Sequence, residues 1–161
     1  VRDALYAATI CSFAQGMSLL RVASAEYGWG MDLREIARVW KGGCIIRARL
    51  LDTLLGAFER APDLQNLLLD AEIRPMLAEA EGGWRRTVQA AVAAGIPVPV
   101  TSSALAYFDS YRTARLPQNL TQAQRDFFGA HTYRRADRPD AGFVHTDWQA
   151  VAEPSTDGVP R

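Results

Sequence analysis

A mostly apolar stripe near the N-terminus recurs at spacings that alternate four and three: Tyr6, Ile10, Phe13, Met17, Leu20, Ser24 and Tyr27. That spacing is one face of an α-helix. Leu5, Leu19 and several small residues populate the other faces, so the helix is apolar most of the way round. Such a helix is expected at the centre of an all-α core, covered by partners on every side. Gly28 supplies its stop.

The next start is clearer. Asp32 can cap a helix, Glu35 stands three residues on to return a bond, and Met31 with Ile36 can staple the entry. This short helix is expected to reach about Trp40 and break at Gly42 and Gly43. A longer one follows, with Cys44, Arg47, Leu51, Leu54 or Leu55, and Phe58 on one side. Pro62 suits the first turn of another helix, with Leu64, Leu67 and Leu68 as its buried side. The region around Pro75 reads as loose, the run from Trp84 to Ala94 as a helix ended by Gly95, and the Pro97–Pro99 pair as irregular. Ser102 to about Arg115 is expected to be helical, carrying Leu105, Tyr107 and Phe108, with Pro117 closing it. Asn119 with Gln122 gives a second capping signal, and Gly129 stops the helix that it opens. From His131 onward Pro139, Gly142, Pro154, Gly158 and Pro160 break any period, which predicts an extended tail that packs on something else or does not pack. No alternating strand segment of useful length is visible, and the predicted fold class is all-α.

Composition narrows the function classes. The chain has 161 residues, 48% hydrophobic and 22% charged, one domain's worth of an ordinary globular protein. Lys plus Arg and Asp plus Glu balance at 18 each, so no global field points to nucleic acid or to an acidic membrane. The uncharged stretch from Ala4 to Leu20 is short for a bilayer crossing and contains Thr9, Ser12, Gln15, Gly16 and Ser18, so a buried helix explains it better. No basic region with a cleavage site opens the chain, and a cytoplasmic location is expected. Cys11 and Cys44 lie far apart without metal-ligand spacing and read as free thiols in a reducing compartment. The tryptophans Trp29, Trp40, Trp84 and Trp148 read as anchors of core and interface.

The catalytic inventory is small. Neither His131 nor His145 has a partner at metal spacing, and no Ser or Cys sits in a nucleophile-elbow context. The glycines near Gly28 and Gly30 follow a helix rather than a strand and lack the three-glycine spacing of a dinucleotide fingerprint. One constellation stands out, running from Gln124 through Arg125 to His131 and Thr132. On a continuous helix Arg125 and His131 would occupy different faces. A stop at Gly129 lets the chain turn and bring the imidazole back towards the guanidinium. A planar fork and a switchable donor suit a small anionic ligand. The competing reading is structural, with Arg125 paired to a carboxylate and His131 capping a helix. His145 is expected to pack or bond locally.

The segment QRDFFGAHTY (Gln124 to Tyr133) closely resembles the C-terminal signature of 6-phosphogluconate dehydrogenases. ALYAATICSFAQG (Ala4 to Gly16), GGCIIRA (Gly42 to Ala48), LQNLLLD (Leu64 to Asp70), WRRTVQAAVAAGIPVP (Trp84 to Pro99) and FVHTDW (Phe143 to Trp148) resemble blocks of the same family, in family order. Several long blocks in register, spanning nearly all of the chain up to Trp148, are far more specific than one motif.

The resemblance implies an enzyme that oxidises 6-phosphogluconate with NADP and decarboxylates the product to ribulose 5-phosphate, in the pentose phosphate pathway. It implies a homodimer in which an N-terminal Rossmann domain holds the cofactor and the catalytic lysine and glutamate precede the segment in hand. Residues 1–133 would form the helical dimerisation and substrate domain, and 134–161 a tail packing on the partner subunit or disordered. Arg125 and His131 match the family's Arg and His of the substrate pocket, which favours the anion-binding reading of both; Arg125 would hold the substrate phosphate. No catalytic residue is assigned within this chain, which alone is expected to have no turnover. Lys41 stands where relatives carry arginine, and AVAEPSTDGVPR after Trp148 does not resemble the glycine- and serine-rich end of some relatives, so no NADP-binding residue is assigned. Two alternatives are a non-catalytic helical dimerisation module and a related β-hydroxyacid dehydrogenase. Retention of both Arg125 and His131 argues against the latter.

Overall fold

A computed structural model describes residues 1–43 and 49–152. Two compact units divide the chain, Val1–Arg112 and Thr113–Arg161. The all-α reading holds. The first unit contains α1 (Arg2–Glu26), α2 (Leu33–Gly43), α3 (Leu50–Arg60), α4 (Ile73–Ala93) and α5 (Pro99–Tyr111). The second contains α6 (Asn119–Gly129), a two-residue hairpin of β1 (Tyr133–Arg134) and β2 (Phe143–Val144), and α7 (Trp148–Ala152). No helix among the described residues is long and apolar enough to cross a membrane.

The core lies around α1, which packs on α4 and α5, while α2 packs on α3. The buried side of α1 is formed by small residues, Ala4, Ala7, Ala8, Cys11 and Ala14, together with Ile10 and Met17. The expected stripe holds at Ile10, Phe13, Met17 and Leu20, which are buried or packed on the core, and fails at its ends, where Tyr6 and Tyr27 lie exposed. Small side chains let helix axes approach closely, so the alanines rather than the aromatics set the contact. The helix is not covered all round: Leu5 and Leu19 are 68% and 69% exposed. Gly83 on the facing helix stands against the Asp3 side chain, which a Cβ there would have to displace. Burial pushes the Cys11 thiol up to about 12, which keeps it protonated and inert.

Trp84 is fully buried on α4, 5.9 Å from the Phe108 ring, and its Nε1 donates to the Thr101 carbonyl at 3.1 Å. Trp40 is half-buried against Phe13, whereas Trp29 is exposed beside Tyr27.

Asp32 caps α2 as its sequence suggests, accepting from the backbone N–H of Arg34 and Glu35. The return bond is not made, because Glu35 receives Arg38 instead, and α2 continues to Gly43. Lys41 on α2 pairs with Asp52 on α3. Leu51, Leu54 and Phe58 are buried as expected, while Cys44 and Arg47 lie outside the described residues.

Three expectations fail between residues 62 and 99. No α-helix starts at Pro62; the segment turns and forms a 3₁₀ turn at Leu67–Leu69. Asn66 is the reason. Its extended backbone lets Oδ1 accept the Leu68 N–H at 2.9 Å, while Nδ2 donates to Ser18 Oγ and Tyr107 Oη. Pro75 is not in a loose region but in the first turn of α4, where a missing N–H forfeits no intrahelical bond. Asp70 accepts the N–H groups of Glu72 and Ile73 at that entry and is held below the usual carboxylate range by Arg60 and these bonds, against the opposing effect of burial. Pro99 likewise opens α5 rather than breaking it, and α5 ends at Tyr111.

Candidate anion-binding site

The second unit is unusual in what it buries. Its only buried described residue is Asp126, while Leu120, Phe127, Phe128 and Phe143 are exposed. Asp126 is therefore a polar centre in a unit with no apolar one of its own. Its carboxylate accepts from four groups: Thr132 N–H at 2.9 Å, and His145 Nδ1, Thr146 N–H and Trp148 Nε1, each at 3.0 Å. Facing the carboxylate, His145 Nδ1 is assigned as the protonated nitrogen. Burial would raise the Asp126 pKa, but the bonds from Thr146, His145, Trp148 and Thr132 outweigh it and bring it from 3.8 down to about 2.

This hub shapes the turn that follows α6. The helix ends with Ala130 in the left-handed region at φ 49°, and Thr132 follows at φ 59°. A left-handed conformation is costly for a β-branched threonine. Thr132 is held on both sides, its N–H by Asp126 and its carbonyl by Gln122 Nε2 at 2.6 Å. The turn folds the His131 ring back over the end of the helix. A Cβ added at Gly129 would stand 2.9 Å from His131 Nε2, so a side chain there would displace the imidazole. Gly129 is thus needed for room; the left-handed stop is supplied by Ala130.

Arg125 and His131, which a continuous helix would separate, line the same two cavities. The larger is about 1090 Å³ and also bears Arg115, Arg134 and Arg135; the smaller is about 360 Å³ and includes Gln124 and Phe128. Among the described residues no carboxylate pairs with Arg125, whose Nη1 donates to Gln122 Oε1 at 3.1 Å. Arg135 is engaged by Asp137, and the Arg134 guanidinium lies 4.7 Å over the Phe143 ring. An unpaired planar fork beside an imidazole, in a cavity edged by further guanidiniums, can take a small anion through charge-assisted bonds. His145 lines neither cavity and bonds locally, as its sequence context suggests.

Two residues of this arrangement escaped the sequence reading. Asp126 carries no spacing signal of its own, and neither does the flanking Phe127, whose ring packs edge-on to Trp148 at 6.0 Å. Gln122 was expected to cap α6 with Asn119, yet it links the Thr132 carbonyl to Arg125.

A pH effect follows from the depressed Asp126 carboxyl. The unfolded chain takes up this proton below about pH 4, before the folded one does, so the stabilisation present above that pH is lost between about 4 and 2. The expected observation is loss of the dispersed Trp148 indole N–H resonance over that window. An indole signal unchanged down to about pH 2 would contradict it.

Residues 1–148 match the family described as 6-phosphogluconate dehydrogenase, C-terminal domain. The chain belongs to this family. It is 55% identical over 159 residues to the decarboxylating 6-phosphogluconate dehydrogenase 2, chloroplastic, of Spinacia oleracea, covering 99% of this chain and 29% of that protein. Against the decarboxylating 6-phosphogluconate dehydrogenase of Synechocystis sp. it is 57% identical over 148 residues, 92% of this chain and 31% of the relative. A solved structure of 6-phosphogluconate dehydrogenase from Plasmodium falciparum, described in its apo form and in complexes with its cofactor NADP+ and its substrate 6-phosphogluconate, superposes with a TM-score of 0.83. The two are 45% identical over 91% of this chain and 31% of that one. The chain therefore spans about a third of the length of the 6-phosphogluconate dehydrogenases that it matches.

Proposed function

We propose that the chain is the helical C-terminal part of a decarboxylating, NADP-dependent 6-phosphogluconate dehydrogenase, and that Arg125 and His131 supply a share of its substrate pocket. The observation that carries this reading is the pair itself: a guanidinium without a carboxylate partner among the described residues and an imidazole, lining one cavity in a chain of this family. Arg125 would grip the substrate phosphate with two parallel N–H bonds, and His131 would donate from the same side. Oriented charge of this kind lowers the barrier by holding the sugar acid in register. NADP, the cofactor in the description of the Plasmodium falciparum enzyme, would supply the hydride acceptor. The described residues offer no glycine-rich strand-to-helix turn to cradle a dinucleotide, so the share proposed for this chain is substrate binding.

The exposed apolar side chains of the second unit, around a buried centre that is a carboxylate, support a homodimer in which that surface packs on the partner subunit. A Rossmann domain of the same protein would hold the cofactor, and the proposed location is the cytoplasm.

The test is a spectrophotometric assay. The full-length protein is expected to form NADPH from 6-phosphogluconate and to release carbon dioxide, while the 161-residue chain alone gives no turnover. A full-length protein inert towards 6-phosphogluconate would leave the helical interaction module as the better account.

A further inference from the structure

The anion-binding pair is joined to the buried carboxylate by an unbroken series of bonds. Asp126 Oδ1 accepts the Thr132 N–H; the Thr132 carbonyl accepts from Gln122 Nε2; Gln122 Oε1 accepts from Arg125 Nη1. Each member is fixed at both ends. The geometry points to Asp126 and Gln122 as the positioning residues of the phosphate site, which hold the Arg125 fork and the His131 turn in their binding orientation, Asp126 from the buried side of α6 and Gln122 from the wall of the cavity.

Several features combine to carry this inference. Asp126 directly follows Arg125 on α6 yet is fully buried where Arg125 is exposed, so the helix anchors itself on one side and presents the cation on another. Thr132 occupies an unfavourable left-handed conformation, and the two bonds that hold it there come from Asp126 and Gln122. A backbone outlier sustained by its surroundings beside a candidate ligand group is where positioning is expected. Gln122 satisfies both ends of its amide on functional neighbours rather than on the helix start, where its sequence position would put it. An arginine side chain left to itself samples many rotamers, and one tethered by an acceptor loses less entropy when the anion arrives.

The inference rests on the proposed substrate reading, and the test separates the two. In the full-length protein, Gln122→Met keeps the volume and removes no direct partner of Asp126, whereas Asp126→Asn exchanges a carboxylate for an amide that cannot accept all four bonds. Gln122→Met is expected to raise KM for 6-phosphogluconate about tenfold while kcat and KM for NADP change less than about twofold. In an Arg125→Ala background the same substitution should have a several-fold smaller effect, because only its hold on the Thr132 carbonyl and the His131 turn remains to be lost. A merely structural role would lower activity by the same factor in both backgrounds, and that result overturns the inference. A second readout does not depend on turnover. The Arg125 side-chain NMR signals should lose their ordered character in both Gln122→Met and Asp126→Asn. If those signals are unchanged in the two variants, the inference is overturned whatever the enzyme does. If they collapse while the wild type is inert with 6-phosphogluconate, the positioning role stands and only the substrate reading fails.

Discussion

Replacing Arg125 with alanine in the full-length protein is expected to lower kcat/KM for 6-phosphogluconate about 30-fold or more, chiefly through a higher KM. That factor corresponds to loss of a charge-assisted contact of roughly 2–4 kcal/mol. Its basis is the state of the guanidinium: exposed in a cavity, tethered only by Gln122, and with no carboxylate partner among the described residues. Truncation removes no ion pair from the fold, so the melting temperature should hardly move. KM for NADP should stay where it is. A variant with unchanged kinetics would make Arg125 a solvated surface residue.

The largest effect on stability is expected at Trp84. Its side chain is fully buried on α4 and packs with Phe108, and its indole N–H satisfies the Thr101 carbonyl at 3.1 Å. Trp84→Ala should destabilise the chain by about 3–5 kcal/mol, combining lost burial, a residual cavity and an orphaned carbonyl. Urea unfolding would register this as a lower midpoint at unchanged slope. A loss below about 1 kcal/mol would mean that the helices around Trp84 close over the gap, contrary to the packing described.

Local chemistry made some of the fold legible. The cap at Asp32 was readable because it depends on residues two and three positions away. Pro75 and Pro99 were misread because proline breaks a helix interior but opens a first turn, and which case applies depends on where the helix begins. That start is set for α4 by Asp70, itself fixed by Arg60 from another helix. On α1 the hydrophobic stripe indicated a helix and, through Ile10, Phe13, Met17 and Leu20, part of its buried side, but not the alanines beside them. Size alone favours the aromatics, whereas close packing against α4 and α5 selects Ala4, Ala7, Ala8 and Ala14.

The site divides in the same way. Arg125 and His131 stood out by residue type and by the family blocks around them. Asp126 did not, because three of its partners lie 19 to 22 residues further along the chain and form no pattern with it. The left-handed turn at Ala130 and Thr132 was hidden as well, since neither residue favours that conformation on its own. Thr132 is held there by the buried carboxylate and by Gln122, partners without a local signature, while the Ala130 N–H bonds the Asp126 backbone carbonyl.

The most direct measurement is a crystal structure of the full-length protein with 6-phosphogluconate bound. The account predicts the substrate phosphate within about 3.2 Å of the Arg125 guanidinium, with the His131 imidazole bonded from the same side. A phosphate seated elsewhere, with Arg125 still turned to Gln122 and solvent, would contradict it.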